Sequence, residues 1–141
     1  MEIKQVDYTQ NSQQLLKKLD DYTKVKVPDL TGYESQKISF SIEEAGEVLG
    51  GIVGEIHWNY LRIELFYVAE NTRGKGVGKQ LLEHVEQLAK EAKCQLIVLE
   101  TMSFNAPGFY LKNGYQEIGK IEEHPLPAEA HYFMMKRIAV S

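Results

Sequence analysis

Cysteine is nearly missing from this chain: Cys94 stands alone among 141 residues. No intrachain disulfide can form, and a reducing compartment is expected. Basic residues are outnumbered, with 16 Lys and Arg against 20 Asp and Glu for a net charge of -4. That balance argues against a general nucleic-acid binder, whose phosphate contacts need a basic face, so any anion site must be local. No apolar run approaches the roughly 18 residues of a membrane span, and Met1-Glu2-Ile3-Lys4-Gln5 lacks the apolar stretch of a secretion signal. The expectation is a cytoplasmic protein without a membrane partner. The four histidines, His57, His84, His124 and His131, show no paired ligand spacing; they are read as structural, and no metal is expected.

What is present is ordinary for a folded protein. Hydrophobic residues make up 43% and charged residues 26%, and a length in the usual single-domain range of about 100–200 residues makes one domain over 1–141 the expectation. A short strand is expected at 3–7. Leu15, Leu16 and Leu19 then mark a helix over 12–22, and a loop over 23–36 carries Pro28 and Gly32. Ile38, Phe40 and Ile42 alternate with polar residues, Ala45-Gly46-Glu47 turns the chain, and strands follow at 48–57 and 61–68. Along the last of these, Leu61, Ile63, Leu65 and Tyr67 are expected on one face, and Arg62, Glu64, Phe66 and Val68 on the other. Val77, Leu81, Leu82, Val85, Leu88, Ala89 and Ala92 form one apolar stripe, predicting a helix over 77–93. A strand covered on both faces is expected at 95–100. Beyond it come a short helix over 105–112 with Asn105 as its cap, and closing strands at 115–121 and 131–138.

The segment Arg73-Gly74-Lys75-Gly76-Val77-Gly78-Lys79 opens the strongest helix. A helix N-terminus has unpaired amides and a positive dipole end, and glycines let an anion approach closely. Arg73, Lys75 and Lys79 concentrate positive charge in an acidic chain, which favours a diphosphate ligand. The segment is no ATP-binding loop, because Arg73 replaces the first glycine and Gln80 the magnesium-binding hydroxyl. Nor is it a dinucleotide fingerprint, since Lys79 falls where the third glycine belongs.

Phe66-Tyr67-Val68 followed by Arg73-Gly74-Lys75-Gly76-Val77-Gly78 resembles the signature of the GNAT superfamily of N-acetyltransferases, Arg/Gln-x-x-Gly-x-Gly/Ala after an apolar-x-Val strand. Downstream, Asn105 with Phe109-Tyr110-Leu111-Lys112-Asn113-Gly114-Tyr115 is similar to that family's second conserved segment. The resemblance covers nearly the whole chain. It implies an α/β GNAT fold, a mixed and mostly antiparallel sheet flanked by helices. The implied cosubstrate is acetyl-CoA, its pantetheine arm held by Phe66, Tyr67 and Val68, its pyrophosphate by residues 73–79, with Asn105, Phe109 and Lys112 also at the cofactor. The implied reaction moves an acetyl group to a primary amine of a small molecule or peptide by direct attack; a non-catalytic acyl-CoA sensor is the alternative. Homodimers are common in such a family.

Attack on a thioester needs a neutral amine, and aliphatic amines, with pKa about 10, are protonated at neutral pH. A base must take a proton, and an acid near the sulfur helps the thiolate leave. By the resemblance, Tyr110 is the candidate acid and the Val68 amide the candidate oxyanion donor. Glu64 is the candidate base, and an exposed or salt-bridged glutamate is the competing interpretation. Cys94 is read as a small buried residue, and Phe104 and Phe109 chiefly as packing groups. Residues 20–36 and 122–130 are expected to border the acceptor pocket.

Overall fold

Residues 1–138 are described in this computed structural model. In chain order they form α1 (Tyr8–Lys26), β1 (Gln36–Glu44), β2 (Glu47–His57), β3 (Tyr60–Val68), α2 (Val77–Glu91), β4 (Leu96–Met102), α3 (Pro107–Lys112), β5 (Gln116–Glu122) and β6 (Ala130–Arg137). The chain divides into two units, Met1–Tyr33 and the residues from Glu34 onward.

The first unit is α1 and its flanks. Asp7 caps the helix by accepting the Gln10 amide at 2.9 Å, and Lys24 and Lys26 sit in the last turn, where the dipole is negative. The strand expected at 3–7 does not form, because Asp7 serves as a cap rather than closing a strand. The helix also overruns the expected 12–22 at both ends. Leucine spacing marks only the apolar stripe; the polar flanks, including Thr23, whose hydroxyl bonds back to the Leu19 carbonyl at 2.8 Å, are helical without adding to it.

The second unit is one six-stranded sheet in the order β1-β2-β3-β4-β6-β5. Among the described residues only the β3–β4 pair is parallel, and all other neighbours are antiparallel. Helix α2 lies against β1, β2 and β3. It buries Val77, Leu81, Leu82, Val85 and Ala89 in one core with Ile52, Leu61, Ile97 and Met134. Gly50 makes that contact possible: a Cβ there would lie 2.8 Å from Val77 Cγ1 and 2.9 Å from the Tyr67 carbonyl. The helix ends at Glu91, short of the expected 93, where Lys93 turns left-handed at φ 62°. On β4, Ile97, Leu99 and Thr101 are buried while Leu96 and Val98 are only half-buried, so the strand is less covered than its apolar run suggested.

Two irregularities in β3 shape the site. Opposite β2, the register passes from Gly54↔Ile63 to Val53↔Leu65 and leaves Glu64 as an extra residue, a β-bulge. The bulge reverses the alternation: Leu61 and Ile63 are buried, yet beyond it Phe66 and Val68 pack on the core while Leu65 and Tyr67 are exposed. The expected single apolar face therefore holds only as far as Ile63, and Glu64 is exposed rather than grouped with Phe66 and Val68. Opposite β4, pairing runs from Tyr60↔Leu96 to Arg62↔Val98 and stops. The rest of β3 and β4 diverges, and the gap is the mouth of a cleft.

Gly54 sits at the bulge, where a Cβ would lie 2.6 Å from the Arg62 carbonyl oxygen. Backbone cannot yield as a flexible side chain does, so Gly54→Ala is expected to lower the unfolding free energy by about 1–3 kcal/mol despite alanine's smaller loss of chain entropy. Equilibrium urea denaturation checks this, the midpoint falling at unchanged slope.

Candidate active site

The cleft between the diverging strands has a volume of about 560 Å³ and continues to the start of α2 and onto α3. From β3 it is lined by residues 63–68, and from β4 by Leu99, Glu100 and Thr101. At its α2 end the turn is fixed by Thr72, whose buried hydroxyl donates to the Ala69 carbonyl at 2.8 Å. The chain then passes through Gly74 at φ 86° and Gly76 at φ 81°. A Cβ at either would meet no protein atom within 4 Å, so within the chain itself it is the left-handed backbone that calls for glycine here. Clearance is the role of Gly78, where a Cβ would come within 3.2 Å of both Phe109 Cζ and Val68 Cγ2. Gly76 caps α2 with no side chain to accept its first amides, leaving them directed out of the helix end. With Arg73 and Lys79 on the same lining, this donor set fits a diphosphate.

Helix α3 carries the aromatic wall. Its N-cap is Ala106, left-handed at φ 52° and making no side-chain cap bond. The expected cap, Asn105, is corrected accordingly: its side chain is spared for the cleft it lines. The Tyr110 ring packs at 6.1 Å from Phe66, 5.3 Å from Phe109 and 5.9 Å from Tyr115, between ring centres. Only 7% of Tyr110 is exposed, and its hydroxyl makes no hydrogen bond with the described residues. Burial pushes its pKa up to about 12. The neighbouring Tyr115 behaves differently. Its hydroxyl donates to Glu86 Oε2 at 2.9 Å, and Glu86 also receives Lys136 Nζ at 3.1 Å. Burial, then the Glu86 carboxylate, raises the Tyr115 pKa strongly. One tyrosine of the motif is tied into the core, and the other keeps its hydroxyl free at the cleft.

The model of the acetyltransferase (GNAT) family matches residues 4–115. The chain belongs to the GNAT acetyltransferase family. It is 34% identical over 101 residues to blasticidin-S acetyltransferase of Streptomyces morookaense, covering 71% of this chain and 74% of that one. The crystal structure of an acetyltransferase from Bacillus cereus superposes with a TM-score of 0.84 at 32% identity over 98% of both chains. A Bacillus anthracis acetyltransferase solved with acetyl coenzyme A gives a TM-score of 0.64 at 28% identity, over 73% of this chain and 63% of that one. The expected mixed sheet and GNAT fold are what the structure has, and the protein is an acetyl-CoA-dependent acyltransferase.

Among the residues of this GNAT chain singled out from sequence, Glu64, Phe66, Tyr67, Val68, Arg73, Gly74, Gly76, Val77, Gly78, Lys79, Asn105, Phe109 and Tyr110 all line the cleft. Lys75 and Lys112 are exposed outside that lining. Phe104, expected to pack, is 60% exposed. Cys94 is fully buried, and burial raises its thiol pKa, so it stays protonated. Glu100 and Thr101 also line the cleft and were not legible in advance, because they end an apolar strand with no motif of their own. No helix among the described residues is long and apolar enough to cross a membrane, and those residues hold no cluster of three or more metal-ligating groups.

The Tyr110 pKa has a consequence for stability. Raised from an unfolded value near 10 to about 12, it makes a contribution fully present below pH 10 and lost as pH climbs toward 12, on the order of 2–3 kcal/mol. In wild type, stability from denaturant titrations is expected to fall by that amount between pH 10 and 12 from this group. Tyr110→Phe should show a correspondingly smaller fall.

Proposed function

We propose that the chain moves the acetyl group of acetyl-CoA to a primary amine of a small molecule or peptide by direct attack on the thioester. In this reading acetyl-CoA supplies the activated acyl group. The uncapped amides at the start of α2, with Arg73 and Lys79, hold its diphosphate, and the edge of β3 left unpaired beyond Arg62 offers Phe66, Tyr67 and Val68 backbone groups to the pantetheine arm. Asn105 and Phe109 complete the cofactor side, and the Val68 amide faces the charge that builds on the acyl oxygen.

Tyr110 is the observation that carries the reading: a buried phenol with an unspent hydroxyl on the cleft wall. A pKa of about 12 keeps it protonated at every working pH. Full proton transfer to a thiolate of ordinary pKa, about 8.5, would be uphill by about 5 kcal/mol. Tyr110 therefore keeps its proton and acts as a hydrogen-bond donor that stabilises charge growing on sulfur, and the thiolate takes up a proton from solvent once it has left. Glu64, exposed on the bulge at the cleft, takes the proton of the acceptor amine through water.

Thiol release from acetyl-CoA, followed with polyamines, aminoglycosides, amino acids, peptides and blasticidin S, tests the proposal. At least one class should support turnover; cofactor binding with no turnover on any of them would favour a sensor. Tyr110→Phe is expected to lower kcat about 100-fold while acetyl-CoA affinity stays within about twofold. Unchanged turnover would remove Tyr110 from the reaction. Gly76→Val, forced into a left-handed backbone at about 1–2 kcal/mol, should weaken acetyl-CoA binding about tenfold in calorimetry.

A further inference from the structure

The cleft has opposite charge toward its two ends. Arg73 and Lys79 lie by the α2 terminus, while Glu64 and Glu100 line the part nearer the β3–β4 junction. Those glutamates share a level: each lies two residues beyond the last parallel pair, Arg62↔Val98. Glu64 is four residues before the end of β3, roughly 13 Å along the strand. Here the two carboxylates differ. No described side chain bonds Glu64, whereas Glu100 Oε1 lies 2.7 Å from Nε2 of His131 across the β4–β6 pair.

His131 is held firmly. Its ring is stacked between His124, centres 5.4 Å apart at 20°, and Phe133, 4.6 Å apart at 14°. Its side chain is 12% exposed, and its Nδ1 is buried with no partner among the described residues. A buried N–H without an acceptor is rarer and costlier than a bare acceptor atom. The hydrogen thus belongs on Nε2, where Glu100 accepts it. That bond engages one carboxylate oxygen; Oε2 makes no hydrogen bond with the described residues, and Glu100, at 57% side-chain exposure, remains accessible.

We infer that His131 is a positioning residue, fixing the Glu100 carboxylate so that its free oxygen receives the ammonium group of a cationic acceptor. The inference rests on the transferase reading and gives it a substrate class, amines that enter the cleft charged. One Nε2–H contact orients the carboxylate and leaves its second oxygen open, where the fork of an arginine could engage both oxygens.

The test uses the acceptor that supports the fastest thiol release, with acetyl-CoA affinity by calorimetry as the control for an intact cofactor site. His131→Leu and Glu100→Gln are each expected to raise the acceptor KM about tenfold, with kcat and acetyl-CoA affinity within about twofold. His131→Gln, whose amide can reach the place of Nε2, should recover most of the loss. The double variant His131→Leu/Glu100→Gln should be no worse than Glu100→Gln alone. Additive effects, an unchanged acceptor KM in either single variant, or no recovery by His131→Gln would overturn the inference while leaving the transferase reading intact. If His131→Leu fails to fold, His131→Phe, which keeps a ring between His124 and Phe133 but donates no hydrogen bond, takes its place under the same KM criterion. Wild-type protein that binds acetyl-CoA but releases no thiol with any acceptor would instead bring down the transferase reading, and this inference with it.

Discussion

Backbone polar groups need partners, and the sheet interrupts that pairing where β3 and β4 part after Arg62↔Val98. Up to that pair, parallel strands satisfy each other and the core closes over Leu61 and Ile97. Beyond it, one edge of β3 has no neighbouring strand among the described residues, and the uncapped start of α2 adds further free amides. Both sets of donors and acceptors border a single cleft. A thioester cosubstrate with a diphosphate at one end and amides along its arm can occupy such a place because it supplies the hydrogen bonds the fold withholds.

The bulge at Glu64 has a comparable reach. By inserting one residue it turns Phe66 and Val68 inward, where Phe66 meets Phe109 and Tyr110 and Val68 meets Gly78. The same insertion leaves Glu64 exposed at the cleft. Aromatic packing around Tyr110 raises its pKa by excluding water, and Tyr115, secured to Glu86, holds the far side of that cluster. Charge then divides the cleft, basic toward α2 and acidic toward the strand junction, a polarity suited to an anionic donor and a cationic acceptor.

Much of this was legible from residue order. The stripe from Val77 to Ala89 gave α2 because helical burial repeats every 3.6 residues, and the glycine-rich segment before it marked where the helix begins. Tyr110 and Asn105 were found through a motif. Failures have local causes: Asp7 has the same identity whether it ends a strand or caps a helix, and Asn105 is an ordinary cap residue whose place Ala106 takes by turning left-handed. A strict period of two could not reveal the bulge, so Leu65 and Tyr67 were assigned to the wrong face.

The sequence by itself determined the secondary elements around the site, the family, and the cosubstrate, since these depend on periodicity and on short contiguous motifs. Tertiary structure alone brought Glu100 to the same cleft as Glu64 and set His131 against it. Glu100 and His131 are 31 residues apart and meet only because β6 runs antiparallel beside β4, a register set by the whole sheet rather than by any local run.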